Sequence, residues 1–341
     1  MIDRFYGNPN VVKTLAGMIA RDRIPQTFLL SGPEGVGKAT LARRFAAALL
    51  GDTAKIERDD LSLPENLALI SDREKWPAEK RGDDPLLFAS HPDFLTFTPD
   101  GPLRQIGMQQ MRLLRERAQF KPLRGRYRVF LIDRLDRANE QAANSLLKTL
   151  EEPPEHLVLV LTAQNSYDLL PTIRSRSILL QMSPLTPEDM SAFAQERGLS
   201  STDRRIALAA GSPGMAVSLD LEVYDKRRAA MLQLLNVASG RAGFAEWARA
   251  SEAIGAGRSD KLDSYLDPLY LLLQDLVVLQ YGDGPVRNAD IRSDLTAIAR
   301  LTDFEWIRRI LLKVDELVEF TRRNIQKNIA LDAIVAEFTR P

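Results

Sequence analysis

The chain has 341 residues, longer than a single hydrophobic core usually serves, so two or three domains are expected. Its 46 Lys and Arg equal its 46 Asp and Glu, which excludes a bulk field driving it onto nucleic acid or anionic membrane. With no cysteine and two histidines, disulfides and thiolate metal sites are excluded and no zinc is expected. The opening MIDRFYGNPN lacks the apolar core of a signal peptide, and no run approaches a membrane span. A cytoplasmic chain with no membrane partner is the expectation.

In chain order, Val11 to Ala20 reads as a short amphipathic helix and Thr27 to Leu30 as a strand. Ser31 to Thr40, SGPEGVGKAT, then places Gly32, four residues and Gly37-Lys38 between that strand and the helical run Leu41 to Leu50. This is the spacing and context of a glycine-rich phosphate loop. Gly32, Gly35 and Gly37 let backbone N–H groups converge on phosphate oxygens, and Lys38 adds a point charge. The hydroxyl residue expected after the lysine, a magnesium ligand, is replaced by Ala39. Thr40 comes one place late, rotated by about 100° on the helix.

Gly51 to Pro92 shows no clear periodicity and reads as a charged insertion, with Trp76 and Leu86 to Phe88 as its apolar anchors. A strand over Asp93 to Thr98 and a helix over Ile106 to Phe120 follow, with Met111 and Leu114 facing inward. That helix and its exit loop carry Arg112, Arg115, Arg117, Lys121, Arg124, Arg126 and Arg128. The series suits either a DNA-phosphate surface or a solvated helix face.

Val129 to Ile132 has the apolar run of a buried parallel strand and delivers Asp133 at its C-terminal end, where ligands of open α/β sheets bind. Asp133 is thus a candidate magnesium ligand. Arg134 follows it, and a cation there cannot take a proton from water and repels a metal. Ala138, Ala142, Leu146 and Leu150 recur at helical spacing until Pro153-Pro154, and Leu157 to Leu161 reads as another strand. After Arg174-Ser175-Arg176-Ser177 comes a last strand, Ile178 to Gln181. Thr186-Pro187 then suits the start of a helix. From Leu221 onward the pattern is helical, with apolar stripes in Met231 to Val237, Leu269 to Leu279 and Trp306 to Phe320. Trp247 and Trp306 read as core, while Tyr270 and Leu271 are candidates for facing a partner.

Together NSLLKTLEEPP, GPEGVGKAT and LPTIRSRS resemble the clamp-loader branch of the AAA+ ATPases, over Phe5 to about Ser218. The resemblance implies an AAA+ phosphate-loop α/β domain over 1–182, a small helical lid over 183–218 and a helical oligomerisation collar over 219–341. It makes Gly32, Gly35, Gly37, Lys38, Thr40 and Asp133 the nucleotide-binding positions. Arg176 becomes an arginine finger acting in trans, with Ser177 where the motif has cysteine. The sensor 1 position falls near Thr162 to Gln164, and Gly214 stands where active relatives have an arginine on the γ-phosphate. Metal, water and γ-phosphate contacts are thus each compromised, so ATP with magnesium is expected to bind weakly or not at all, without hydrolysis by the chain alone. The implied setting is a five-subunit ring with gamma/tau and delta clamp-loader subunits, the sliding clamp and primer-template DNA of the DNA polymerase III holoenzyme. A working motor ATPase and an unrelated phosphate-loop kinase are the alternatives; for the kinase no acceptor-site residues are evident.

Overall fold

Five strands rich in branched and aromatic residues alternate with helices, a pattern that pairs strands in parallel with helices on both faces. The computed structural model describes residues 5–256, 262–282, 284–321 and 327–338. They form two units, Met1–Ser200 with Ala209–Val217, and Ser201–Leu208 with Ser218–Pro341.

The first unit holds one six-stranded sheet. Its strands are β1 (Thr27–Ser31), β2 (Phe88–His91), β3 (Phe94–Phe97), β4 (Arg128–Ile132), β5 (Leu157–Ala163) and β6 (Ile178–Gln181), in the order β2-β3-β4-β5-β1-β6. Only the β2–β3 pair is antiparallel. Strand periodicity assigns alternate side chains to opposite faces. Val129 and Leu131 of β4 join Phe28, Leu30 and Phe45 in one core, against α1 (Pro9–Ala20) and α2 (Lys38–Leu50). Phe130 and Ile132 join Leu29, Met111, Leu114 and Leu146 in the other. That second core lies under α6 (Met108–Ala118) and α7 (Glu140–Glu151). Asn139 starts α7 by accepting from the Ala142 amide, so Ala138 lies before the helix instead of inside it.

The segment Gly51 to Pro92 is not the irregular insertion its composition suggests. It folds as α3 (Thr53–Ile56), α4 (Pro64–Arg73), α5 (Ala78–Asp83) and the edge strand β2. Its apolar anchors include Ile56 and Ile70 beside Leu86 and Phe88. Much of its order comes from buried ion pairs, which leave no apolar period to read. Arg43 of α2 reaches Glu57 at 3.1 Å and Asp60 at 2.5 Å. Arg73, itself buried, reaches Asp100 at 2.8 Å and Asp84 at 3.3 Å and lies over the Trp76 ring.

The unit continues through the 3-10 turn Ser166–Asp168, α8 (Pro171–Ser175) and β6 to α9 (Pro187–Glu196), where Thr186 caps by accepting from the Asp189 amide. Beyond α10 (Thr202–Ala209) lies α11 (Pro213–Ser218). The helices of the second unit are α12 (Leu221–Ala238), α13 (Phe244–Ala256), α14 (Asp263–Tyr281), α15 (Arg292–Ala299), α16 (Phe304–Thr321) and α17 (Lys327–Phe338). Met231, Leu234, Leu269, Leu276, Ile307 and Ile310 build its core around Trp247, whose Nε1 donates to Asp332 at 2.7 Å. Trp306 is only partly buried, against Phe338. The stripe of α16 is seen as far as Leu317, its side chains beyond that lying outside the described residues. Tyr270 gives its hydroxyl to Asp315 at 2.6 Å, an engagement within the unit. No helix among the described residues is long and apolar enough to cross a membrane.

Leaving Asp100 buried without its cation is costly, so Arg73→Ala is expected to lower stability by about 3–5 kcal/mol. A chemical-denaturation midpoint matching the wild type would show that the pair does not hold the segment.

Candidate nucleotide site and the arginine at the sheet edge

β1 is flanked by β5 on one side and β6 on the other, so the carboxyl end of β1 lies at a reversal of strand order, where open α/β sheets bind ligands. Gly32 to Lys38 leaves the sheet there. Gly35 (φ 75°) and Gly37 (φ 97°) take left-handed backbone that a side chain would strain. They turn the chain into α2, and among the described residues no acceptor faces the amides of Val36, Gly37 and Lys38.

The loop's lysine is withdrawn into it. Lys38 is buried and Nζ donates to Gly32 O and Pro33 O, each at 2.6 Å. Burial lowers its pKa, with Asp133 and Asp136 acting in the opposite sense. Asp133 stands at the end of β4, its amide donating to Phe97 O at 2.8 Å. Its Oδ1 accepts from Thr162 Oγ1 at 2.6 Å, and Thr162 Oγ1 accepts from the Arg134 amide at 2.8 Å. Burial raises the Asp133 pKa, and the Thr162 hydrogen bond and Lys38 offset it in part. Of the stretch Thr162 to Gln164, therefore, Thr162 contacts Asp133.

Three further features crowd the loop. Arg134, in left-handed backbone at φ 57°, forms an ion pair with Glu34 inside the loop. Gln164 Nε2 donates to the same carboxylate at 2.9 Å. From the other side Ser212 Oγ donates to Glu34 O at 2.8 Å and the Gly214 amide donates to Gly35 O at 2.9 Å. A Cβ on Gly214 would lie 2.9 Å from Gly35 Cα, so the backbone contact itself requires glycine where an arginine would be needed for a γ-phosphate. Sequence reasoning gave no role to Glu34 or Ser212 and left Gln164 within the stretch Thr162 to Gln164, because only the packing of separate elements brings the three together.

These residues do not fit a magnesium–triphosphate group. Ala39 offers no hydroxyl, Thr40 lies one residue further along α2, and Arg134 puts a cation beside the only strand-end carboxylate. Among the described residues there is no group of three or more His, Cys, Asp or Glu that could hold a metal ion.

Arg176 is elsewhere. It follows α8 and immediately precedes β6, an edge strand that runs parallel to β1 with Phe28 opposite Ile178 and Ser31 opposite Gln181. It therefore lies at the amino end of the sheet, while Lys38 and Asp133 lie at the carboxyl end. Five residues of strand separate the two ends by roughly 16 Å. Its guanidinium is half-exposed and pairs with Glu151 at 3.0 Å, with NH1 donating to Thr172 O at 3.1 Å. A cavity of about 390 Å³ lined by Gln26, Leu150, Glu151, Pro153 and Ser175 opens beside it.

The basic series divides. Arg128 is buried, donating to Arg117 O at 2.7 Å, and Arg126 pairs with Asp22. Arg112, Arg115, Arg117, Lys121 and Arg124 remain exposed.

A mostly parallel sheet with a glycine-rich loop at its switch point, followed by a helical C-terminal region, defines the class as α/β. A family model described as DNA polymerase III, delta subunit, matches residues 85–186. The gamma/tau subunit of DNA polymerase III from Mycobacterium tuberculosis is 31% identical over 193 residues, 55% of this chain and 29% of that protein. The delta' subunit of Bacillus subtilis is 27% identical over 280 residues, 81% of this chain and 78% of that protein. Among solved structures, a gamma subunit-related protein of Thermotoga maritima aligns with 95% of this chain and 98% of its own, at 17% identity and a TM-score of 0.42. The family match and the relatives make this chain similar to DNA polymerase III subunits of the gamma/tau and delta' kinds. The chain spans only about a third of the gamma/tau relatives that it matches.

With the metal, water and γ-phosphate positions all altered, the purified chain is expected to turn over ATP with magnesium at background rate, and Lys38→Ala to leave that rate unchanged. Steady-state phosphate release that falls in Lys38→Ala would show a working site.

Proposed function

We propose that this chain is a delta-prime-like subunit of a DNA polymerase III clamp loader, which does not hydrolyse ATP itself and lends Arg176 to the nucleotide site of a neighbouring subunit. On this reading 1–182 is the AAA+ domain, 183–218 the lid and 219–341 the collar. The partners are gamma/tau and delta subunits in a five-membered ring, and through the ring the sliding clamp and primer-template DNA in the cytoplasm. The observation that carries it is Arg134 directly after Asp133, held against the loop by Glu34 where hydrolysis needs a water-activating carboxylate. Hydrolysis requires metal, positioned water and charge stabilisation together, which disfavours the motor reading. The delta' match supports it as well, covering 81% of this chain and 78% of that protein, where the gamma/tau match covers 55% and 29%.

Arg176 at the amino end of an edge strand is far from its own loop, so any phosphate it serves belongs to another molecule. Its pair with Glu151 is half-exposed and worth at most about 1 kcal/mol, an easily exchanged partner. Trans arginines in other NTPases contribute roughly 10³–10⁵ in rate. Arg176→Ala is expected to leave ring assembly intact and to lower the DNA-stimulated ATPase of the reconstituted complex in part, since only the site facing this subunit loses its finger. A mutant complex that assembles and hydrolyses at the wild-type rate would end the trans-finger reading.

A further inference from the structure

The loop carries two cations from different elements and no set of metal ligands. Lys38 is buried with its ammonium on two neutral carbonyl oxygens, the Asp133 and Asp136 carboxylates acting on it only from beyond ion-pair contact. Arg134 arrives from the end of β4 and meets the only anion that the loop itself supplies, Glu34. The Val36, Gly37 and Lys38 amides lie between these contacts with no acceptor among the described residues. Amides, an ammonium and a guanidinium around one loop make a receptor for phosphate oxygens.

We infer that Arg134 stands in for the divalent cation at this loop, so that the site takes a diphosphate group without metal, in competition with Glu34. Glu34 is the internal anion that occupies Arg134 in the free chain, with Gln164 holding its second oxygen. A diphosphate displaces that carboxylate and gives Lys38 the anionic oxygen that it lacks. Two fixed cations offset a diphosphate more nearly than a triphosphate, which ordinarily arrives with magnesium. The backbone contact between Gly214 and Gly35 further limits room beyond the second phosphate. The inference rests on the non-hydrolysing reading of the loop, and it is independent of Arg176 and of any neighbouring subunit.

The test is calorimetric titration of the full chain with ADP and, separately, with inorganic pyrophosphate, each in EDTA and in magnesium. Glu34→Gln, which removes the competing charge, is expected to bind ADP in EDTA at least about tenfold more tightly than the wild type, a ratio set by one charge-assisted hydrogen bond. Arg134→Gln is expected to lose that binding and Arg134→Lys to recover part of it, with circular dichroism confirming the fold of each. Pyrophosphate competing with ADP identifies the diphosphate as the recognised group; ADP binding without such competition overturns that assignment. Absence of binding in Glu34→Gln, binding that requires magnesium, or binding undiminished in Arg134→Gln overturns the inference. None of those results alters the outcome expected for Arg176→Ala in the assembled ring, so the two readings fail separately.

Discussion

Parallel pairing of β1 with β5 and β6 is the constraint from which the rest of the first unit follows. Because β1 has neighbours on both edges and helices on both faces, Phe28, Leu29 and Leu30 are all buried and the strand has one register available. Its carboxyl end then has to leave the sheet at the reversal of strand order, and the glycines of the phosphate loop make that exit. The same pairing sends β6 in the direction of β1. Arg176 is thereby carried to the opposite end of the sheet from Lys38, and the two cannot meet within one chain.

At the carboxyl end, electrostatics replaces what coordination chemistry would do in a metal-dependent site. Asp133 is partly buried, accepts from Thr162 and has its charge disfavoured by desolvation. The neighbouring position carries a guanidinium in left-handed backbone, a conformation that the Thr162 hydroxyl supports by accepting from its amide. Ser212 through its hydroxyl and Gly214 through its amide close the loop from another segment, and the closeness of that approach is why Gly214 and Gly35 have to lack side chains. The arrangement suits a loop kept in shape by its own chain, a state that assembly can use without chemistry at this position.

Much of this was legible in the residues alone. The strands before the phosphate loop and before Asp133, the helices holding Met111, Leu114 and Leu146, and the cap at Thr186 all follow local period and local hydrogen bonding, which sequence encodes directly. The missing metal hydroxyl at Ala39 and the cation at Arg134 are likewise matters of residue identity at a known spacing. The segment Gly51 to Pro92 was not legible, because Arg43 and Arg73 order it through carboxylates distant in the chain, and buried ion pairs leave no periodic trace.

The amino-acid sequence by itself therefore determined the α/β class, the position of the glycine-rich loop and the residue identities at Ala39, Arg134 and Gly214. These depend on short-range pattern and on residue chemistry. Only the tertiary structure decided that Glu34 is the partner of Arg134, that Thr162 touches Asp133, that Glu151 holds Arg176 and that Arg128 is buried and not displayed. Each of those depends on which elements the sheet brings side by side, and Coulombic or hydrogen-bond pairing between separate elements is set by distance in space, which chain spacing does not encode.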